Sequence, residues 1–337
     1  MNLTNGKIMP YKFIDLFAGI GGFRLALESA GARCVFSSEI NKYSCATYEV
    51  NFGEYPEGDI TEILSKDIPE HDILCAGFPC QPFSKASVPK YRSLGLKLGF
   101  EHKTQGTLFY DICKILKYHR PKAFILENVK HLKGHDGGKT WEIIEQNLRG
   151  LDYTIYYEVI DAVKLVPQHR ERIFIIGFAE ELKFEWPEIE DRKLMVRNIL
   201  NPHRTAKRYT LTDGVWRALK RHAKRHKAKG HGFGYGIADR NGVSRTLSAR
   251  YYKDGAEILI EQSGGRNPRR LTPRECARLM GFPEDFKIPV SDSQAYRQFG
   301  NSVVVPLVKL IAKSVVGTLE NPEYLPEQLQ ISEFAET

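Results

Sequence analysis

The chain of 337 residues is long enough for two ordinary domains, and 42% hydrophobic with 27% charged residues is a globular balance. Its 49 Lys+Arg outnumber 41 Asp+Glu, and the resulting +8 favours an anionic partner, nucleic acid first, while saying nothing about the fold. No apolar run approaches the ~18–20 residues of a membrane span, the N-terminus MNLTNGKIMP lacks a signal-like apolar core, and the six cysteines form no C-x-x-C pair, which argues against membrane, secreted disulfide-rich and Cys-zinc classes and fits a reducing cytoplasm.

In chain order, short apolar runs read as buried strands: FIDLF (13–17), CVFSS (34–38), DILCAGF (72–78) and KAFILEN (122–128). Between them, GGFRLALESAG (21–31) puts Phe23, Ala26, Leu27 and Ala30 on one helical face, and TLFYDICKILKYH (107–119) does the same with Leu108, Ile112, Ile115 and Leu116. Continuous apolar strands alternating with amphipathic helices predict an α/β fold, a doubly wound and mostly parallel sheet covered on both faces. YTIYYEVI (153–160) and RIFIIGF (172–178) read as two further strands. The texture changes near Trp186-Pro187. From 186 to about 291 the chain is more basic, richer in Gly and Pro, and weakly periodic, as for a smaller irregular domain. Helical spacing resumes after Asn301, with Pro306 tolerable only in a first turn. The tail after Asn321 is polar. These boundaries give one domain from 1–185 plus 292–325, a second from 186–291, and a tail from 326–337.

Four segments carry candidate chemistry. FAGIGG (17–22) links a strand to a helix, and Glu39 ends the next strand, the place for a carboxylate on a ribose hydroxyl; a merely tight turn is the plainer reading. Asp59 offers a further polar contact or is a solvated turn residue. In GFPCQPFS (77–84), Cys80 lies between Pro79 and Pro82 at a strand's carboxyl end, where restricted backbone aims a thiol that could act as a nucleophile once its pKa is lowered. The other five cysteines read as inert core. The basic, glycine-containing stretch that follows has the makings of a closing loop. Glu127 ends the KAFILEN strand, as an ion-paired carboxylate or a protonated donor. Arg170 and Arg172 alternate before a strand and share a face, for a carboxylate, a phosphate or a surface salt bridge.

FIDLFAGIGGF, GFPCQPFS, ENV (127–129), QHRER (168–172), RRLTPRECARLMGFPEDF (269–286) and QFGNSVVVPLV (298–308) occur in that order. Together they strongly resemble the DNA cytosine-5 methyltransferases of bacterial restriction–modification systems, from about Phe13 to Val308. The resemblance implies a methyltransferase-type sheet with a target-recognition domain across a cleft, and S-adenosyl-L-methionine as cofactor. It assigns the cofactor to Phe17, Ala18, Gly19, Ile20, Gly21, Gly22, Glu39, Ile40, Asp59, Ile60, Pro79, Leu108, Asn301, Ser302 and Val303. Relatives often carry a large aromatic where Ile40 stands, so apolar packing would replace stacking on adenine. The implied catalytic set is Cys80, Glu127, Arg170 and Arg172. Cys80 attacks carbon-6 of an extruded cytosine, Glu127 serves nitrogen-3, Arg172 meets the carbonyl oxygen, and Arg170 orients the catalytic loop or the adduct. No metal is implied.

The implied partner is double-stranded DNA, met by a monomer in the cytoplasm at the nucleoid, with a restriction endonuclease as functional counterpart. DGVWRALKRHAKRHKAKGHGFGYG (213–236) has Val215, Leu219 and Ala223 at helical spacing and a basic remaining face. Arg217, Lys220, Arg221, Lys224 and Arg225 suit phosphates, with Ser84 and Lys85 beside Cys80; a solvated basic helix is the alternative. Tyr235, Arg245 and Arg250 are candidates for reading bases. These stretches resemble enzymes that modify the inner cytosine of C-C-(one or no base)-G-G sites.

Other classes fit less well. A nicotinamide oxidoreductase shares the glycine turn but needs neither P-C-Q nor a basic second domain. A zinc deaminase needs P-C-x-x-C, and Cys80 is followed by Gln81-Pro82-Phe83. An RNA cytosine methyltransferase is chemically close, but the recognition-like segment argues for DNA. A DNA-binding protein without activity leaves the catalytic motifs unexplained.

Overall fold

The computed structural model describes residues 10–79, 107–203, 205–230 and 234–321, together with a short backbone pairing of Leu3–Thr4 with Lys7–Ile8. Six strands form the central sheet: β1 (Lys12–Leu16), β2 (Arg33–Ser38), β3 (Ile73–Gly77), β4 (Ala123–Val129), β5 (Thr154–Asp161) and β6 (Glu171–Phe178). Their order is β2-β1-β3-β4-β6-β5. β1, β2, β3 and β4 pair in parallel, and β6 runs antiparallel to both β4 and β5. The mostly parallel doubly wound sheet is therefore present, with one reversed strand near its edge.

The apolar strands are continuous because both faces of the sheet are covered. Successive residues serve opposite sides. Phe13, Cys75, Ile125 and Phe174 belong to one core, and Ile14, Leu74, Leu126 and Ile173 to the other. The first core packs α1 (Gly22–Ser29) against a carboxyl-terminal helix, Val305–Glu320, and the second receives Thr107–His119 and Lys139–Arg149. In chain order these are α3 (Thr107–His119) and α4 (Lys139–Arg149). α2 (Lys42–Phe52) lacks a clear apolar stripe, but Asn41 caps it by accepting from the Tyr43 and Ser44 amides, and it ends at Gly53. Gly21 precedes α1 with φ +83°, and a Cβ there would lie 2.2 Å from the Phe52 ring. The turn thus needs glycine for its backbone conformation and for the approach of α2.

The stretch 186–291 is irregular, as its sequence suggests. It holds α5 (Val196–Ile199), the basic helix α6 (Asp213–Ala228), a two-residue ladder of β7 (Leu259–Ile260) with β8 (Arg269–Arg270), and α7 (Pro273–Leu279). Thr272 and Glu275 form a capping box on α7, and Glu275, fully buried, also pairs with Arg269 at 2.8 Å. Val196, Leu247, Tyr251, Ile258 and Leu271 join the same core as the sheet's first face. α8 (Asp292–Asn301) and α9 (Val305–Glu320) follow, with Pro306 in the first turn of α9. No membrane-length apolar run is expected from the sequence. One apolar window, 302–319, runs from the junction along α9, but 72% of it is buried inside the protein.

Candidate active site

The carboxyl ends of β1 to β4 open into one cleft of about 1250 Å³. Open α/β sheets bind ligands at this edge, because strand-to-helix turns expose backbone amides there while the sheet itself stays rigid. Residues after β1 contribute Phe17, Ala18, Gly19, Ile20 and Gly22, and residues after β2 contribute Glu39 and Ile40. Asp59 and Ile60, then Pro79 after β3, then Leu108 from α3 continue the wall, and Asn301, Ser302 and Val303 at the α8–α9 junction close it. Of the fifteen cofactor positions expected from sequence, Gly21 alone is not on this wall; its place is against Phe52.

Glu39 organises this half. Its carboxylate accepts the Gly19 amide at 2.9 Å and the Asn41 amide at 2.7 Å, so it ties the glycine turn to the start of α2. Each oxygen keeps a lone pair that can take a hydroxyl proton. Next to it Ile40 is 73% exposed, an apolar face turned into the cleft. Asp59 accepts the Thr61 amide at 2.9 Å, the turn role that its plainer reading supposed, while still bordering the cleft. Gly22 packs without a side chain against Val303 and Ser302; a Cβ there would come within 2.7 Å of Val303.

The other half holds Glu127 and Arg172. Glu127 is 9% exposed, and Arg172 Nε lies 3.0 Å from its Oε1. Burial pushes the carboxyl upward, and the Arg172 and Arg170 guanidiniums pull it back; the net direction is up. A carboxyl so placed holds a proton more readily than an exposed one. Asn128, the middle of ENV, is buried and donates to the Phe78 carbonyl at 2.9 Å, fixing the backbone that leads to Pro79. Asn128 is absent from the site expected from sequence, although its place beside Glu127 at a strand end is a signal.

Arg170, expected to orient the catalytic loop or the adduct, lines the cleft, and the loop after Pro79 lies outside the described residues. It is 1% exposed, and its donors go to the carbonyls of Leu247 at 2.8 Å, Gly300 at 2.9 Å and Ser302 at 2.7 Å. Burial and the neighbouring Arg172 push its pKa down to about 9, still protonated at neutral pH. These bonds brace the wall of the cleft, and spacing alone gives no such partners.

Cys80, Ser84 and Lys85 lie outside the described residues; Pro79, which precedes Cys80, lines the cleft. The five other cysteines are all buried. Burial raises the thiol pKa of Cys34 to about 12 and lifts those of Cys45, Cys75, Cys113 and Cys276, so none is suited to nucleophilic work.

Residues 249–252 and α8 supply a polar rim to the cleft. Arg250 borders the cleft with Tyr252, and Arg297 of α8, also missed from sequence, stacks on the Tyr252 ring at 4.0 Å. Arg245 is exposed and runs along Gly236. α6 stands apart from the cleft and has no buried residue. Its Arg217, Lys220, Arg221, Lys224 and Arg225 are exposed, and none is ion-paired among the described residues. Tyr235 is half-buried, its ring 4.6 Å from that of Trp216, and so it anchors α6.

A family model described as C-5 cytosine-specific DNA methylase matches residues 11–317. The chain belongs to that family. It is 50% identical over 328 residues to the Type II methyltransferase M.SsoII of Shigella sonnei, covering 95% of this chain and 83% of that protein. It is 51% identical over 315 residues to the Type II methyltransferase M.NlaX of Neisseria lactamica, with 92% and 97% covered. Among solved structures, the Entamoeba histolytica methyltransferase EhMeth superposes with a TM-score of 0.74 at 20% identity, over 93% of this chain and 99% of that one, a likeness of fold. The protein is thus an enzyme, a cytosine-5 DNA methyltransferase of the restriction–modification type.

Proposed function

We propose that this methylase transfers a methyl group from S-adenosyl-L-methionine to carbon-5 of a cytosine flipped out of duplex DNA, through a covalent bond to Cys80. One observation carries the reading: a single cleft holds both the glycine turn with Glu39 and Ile40 and the buried Glu127–Arg172 pair.

The donor set fits the cofactor. Glu39 has acceptor capacity for ribose hydroxyls, exposed Ile40 offers an apolar plane to adenine, and the turn from Phe17 to Gly22 with Asn301, Ser302 and Val303 would hold the methionine end. Asp59, Ile60, Pro79 and Leu108 complete that wall. When bound, the cofactor supplies an electrophilic methyl group on sulfur.

The chain's own groups do the rest. Carbon-5 of cytosine is a poor nucleophile. Addition of the Cys80 thiolate at carbon-6 turns the ring into an enamine, with the new charge relieved at nitrogen-3 by the proton of Glu127. Arg172, already hydrogen-bonded to Glu127, is in reach to hold that carboxyl and the base's carbonyl oxygen together. Carbon-5 then takes the methyl group. Loss of the carbon-5 proton to water restores the double bond and expels the thiolate, and the nitrogen-3 proton returns to Glu127. The base must leave the stack, since carbon-6 is inaccessible inside a duplex.

Residues 186–291 act as the target-recognition domain, 1–185 with 292–325 as the catalytic domain, and 326–337 as a tail. Exposed, unpaired charge on α6 supports phosphate contact by Arg217, Lys220, Arg221, Lys224 and Arg225, with Ser84 and Lys85 on the strand near the target. Arg245 and Arg250 read guanines, in keeping with a C-C-G-G or C-C-x-G-G site, and Tyr235, whose ring packs on Trp216 of α6, contributes beside them. The enzyme works as a monomer in the cytoplasm, at the nucleoid, alongside an endonuclease of matching specificity.

The test is Cys80→Ala with labelled cofactor and duplex DNA. Methyl transfer is abolished while duplex binding persists. Retained turnover in that variant removes the mechanism.

A further inference from the structure

The segment that carries Arg245 and Arg250 and the wall that ends in Ser302 meet on one side chain. Gln168 and Arg170 are two residues apart leading into β6 and point to the same side. Gln168 Oε1 accepts the Leu247 amide at 3.1 Å, and Arg170 Nη1 donates to the Leu247 carbonyl at 2.8 Å. Both backbone polar groups of Leu247 are therefore taken by this pair. Arg170 Nη2 donates to Gly300 and Ser302, both on the cleft wall. The two segments also touch directly. A Cβ on Gly300 would lie 2.4 Å from the Ser248 carbonyl group, so backbone rests on backbone.

A guanidinium is a planar fork whose donors keep fixed angles. A shift of a few tenths of an ångström in the Gly300–Ser302 carbonyls turns the fork, and the Leu247 carbonyl must follow or lose its hydrogen bond. Close packing leaves no slack to absorb the movement. Arg170 is 1% exposed, its Nε has no partner among the described residues, and burial makes any loss of these acceptors costly.

We propose that Arg170 is a positioning residue that couples the two ligands: a ligand seated against the Gly300–Ser302 wall sets the placement of Leu247, and with it Arg245 and Arg250, so that cofactor occupancy raises affinity for duplex DNA. This rests on the proposed function, which assigns the wall to the cofactor and the arginines to DNA. Linkage makes the effect reciprocal: the duplex raises cofactor affinity by the same factor.

The experiment uses the full chain, S-adenosylhomocysteine as the unreactive ligand, and a duplex containing the site that the enzyme methylates. Titration calorimetry gives the S-adenosylhomocysteine Kd with and without duplex. The ratio in the natural protein is on the order of tenfold. In Arg170→Lys, which keeps the charge and loses the fork, the ratio falls to within about twofold of one, whatever happens to each separate affinity. A strut that merely stabilises the fold moves the melting temperature and leaves the ratio unchanged, and that result overturns the proposal. Should the variant not fold, hydrogen exchange on the natural protein decides. S-adenosylhomocysteine alone slows exchange in the peptide spanning 244–250; no change there overturns the coupling. Failure to bind either ligand refutes the functional reading itself, whereas binding of both with a ratio of one refutes only the coupling.

Discussion

Replacing Glu127 by Gln separates its chemistry from its place in the fold. Gln keeps the volume, and its amide oxygen can still accept from Arg172 Nε, 3.0 Å from Oε1 in the natural side chain. The cost to stability is that of weakening one charge-assisted hydrogen bond, about 1–2 kcal/mol. Glu127→Ala removes the acceptor altogether and leaves the partly buried Arg172 with the Glu171 carbonyl at 2.8 Å as its remaining acceptor among the described residues, which costs more, about 2–3 kcal/mol. The rate behaves differently. If the Glu127 proton relieves charge at nitrogen-3, both variants lose it and methyl transfer falls by about 10²–10⁴, or roughly 3–5 kcal/mol of barrier. The pH profile carries a second signature. Burial raises the carboxyl's pKa, the protonated form is the active one, and so the natural enzyme loses rate as pH rises through that raised value. Glu127→Gln lacks this descending limb. Single-turnover transfer of labelled methyl across pH, with thermal unfolding of each variant, makes the comparison. A folded Glu127→Gln enzyme within about threefold of the natural rate, with the limb intact, would refute the assigned role.

Other parts of the molecule make three further predictions. His71 is buried with Nδ1 on the Pro69 carbonyl and no partner for Nε2 among the described residues, and burial lowers its pKa from 6.5 to about 4. The folded state therefore binds this proton less well than the unfolded chain, so stability is full above pH 6.5 and falls between pH 6.5 and 4, by about 3 kcal/mol in all; urea titrations of the natural protein and of His71→Gln show the acid loss shrinking in the variant, and equal losses contradict the assignment. Gly22→Ala drives a Cβ to 2.7 Å from Val303 and 3.1 Å from Ser302, displacing the cofactor wall; calorimetry then gives S-adenosylhomocysteine binding weakened about tenfold or more, which corresponds to about 1.4 kcal/mol of misfit, and an unchanged Kd argues that the ligand lies elsewhere. Changing Arg217, Arg221 and Arg225 together to Ala lowers the slope of log K against log salt by about 0.9 for each phosphate no longer neutralised, with the modified sequence unchanged; a new target sequence with an unaltered slope means that α6 reads bases instead.

The sheet was legible because burial on both faces writes continuous apolar runs, and each of the six strands falls within or beside its run. The glycine turn, Glu39, Glu127 and the α8–α9 junction were legible because they sit at strand or helix ends, where sequence position fixes location in space. α2 escaped notice since its stripe is weak and its cap and stop glycine carry the signal. The partners of Arg170 were not legible for a different reason: they are carbonyls 77 to 132 residues away, and backbone acceptors leave no mark in sequence. Arg297 and Tyr252 meet only because α8 packs beside the turn at Ala249–Tyr252, a tertiary fact. Tyr235 drew attention as an aromatic among glycines, and its ring in the fold faces Trp216.

The central claim is sequence-specific methylation of cytosine at carbon-5 by this chain alone. The most direct measurement incubates the purified protein with S-adenosyl-L-methionine and unmethylated genomic DNA, then maps protected cytosines by bisulfite sequencing. The expected result is one sharply defined motif, the inner cytosine of C-C-G-G or C-C-x-G-G, with no protection from the Cys80→Ala protein. No protected cytosine in DNA, or protection that survives loss of Cys80, would contradict it.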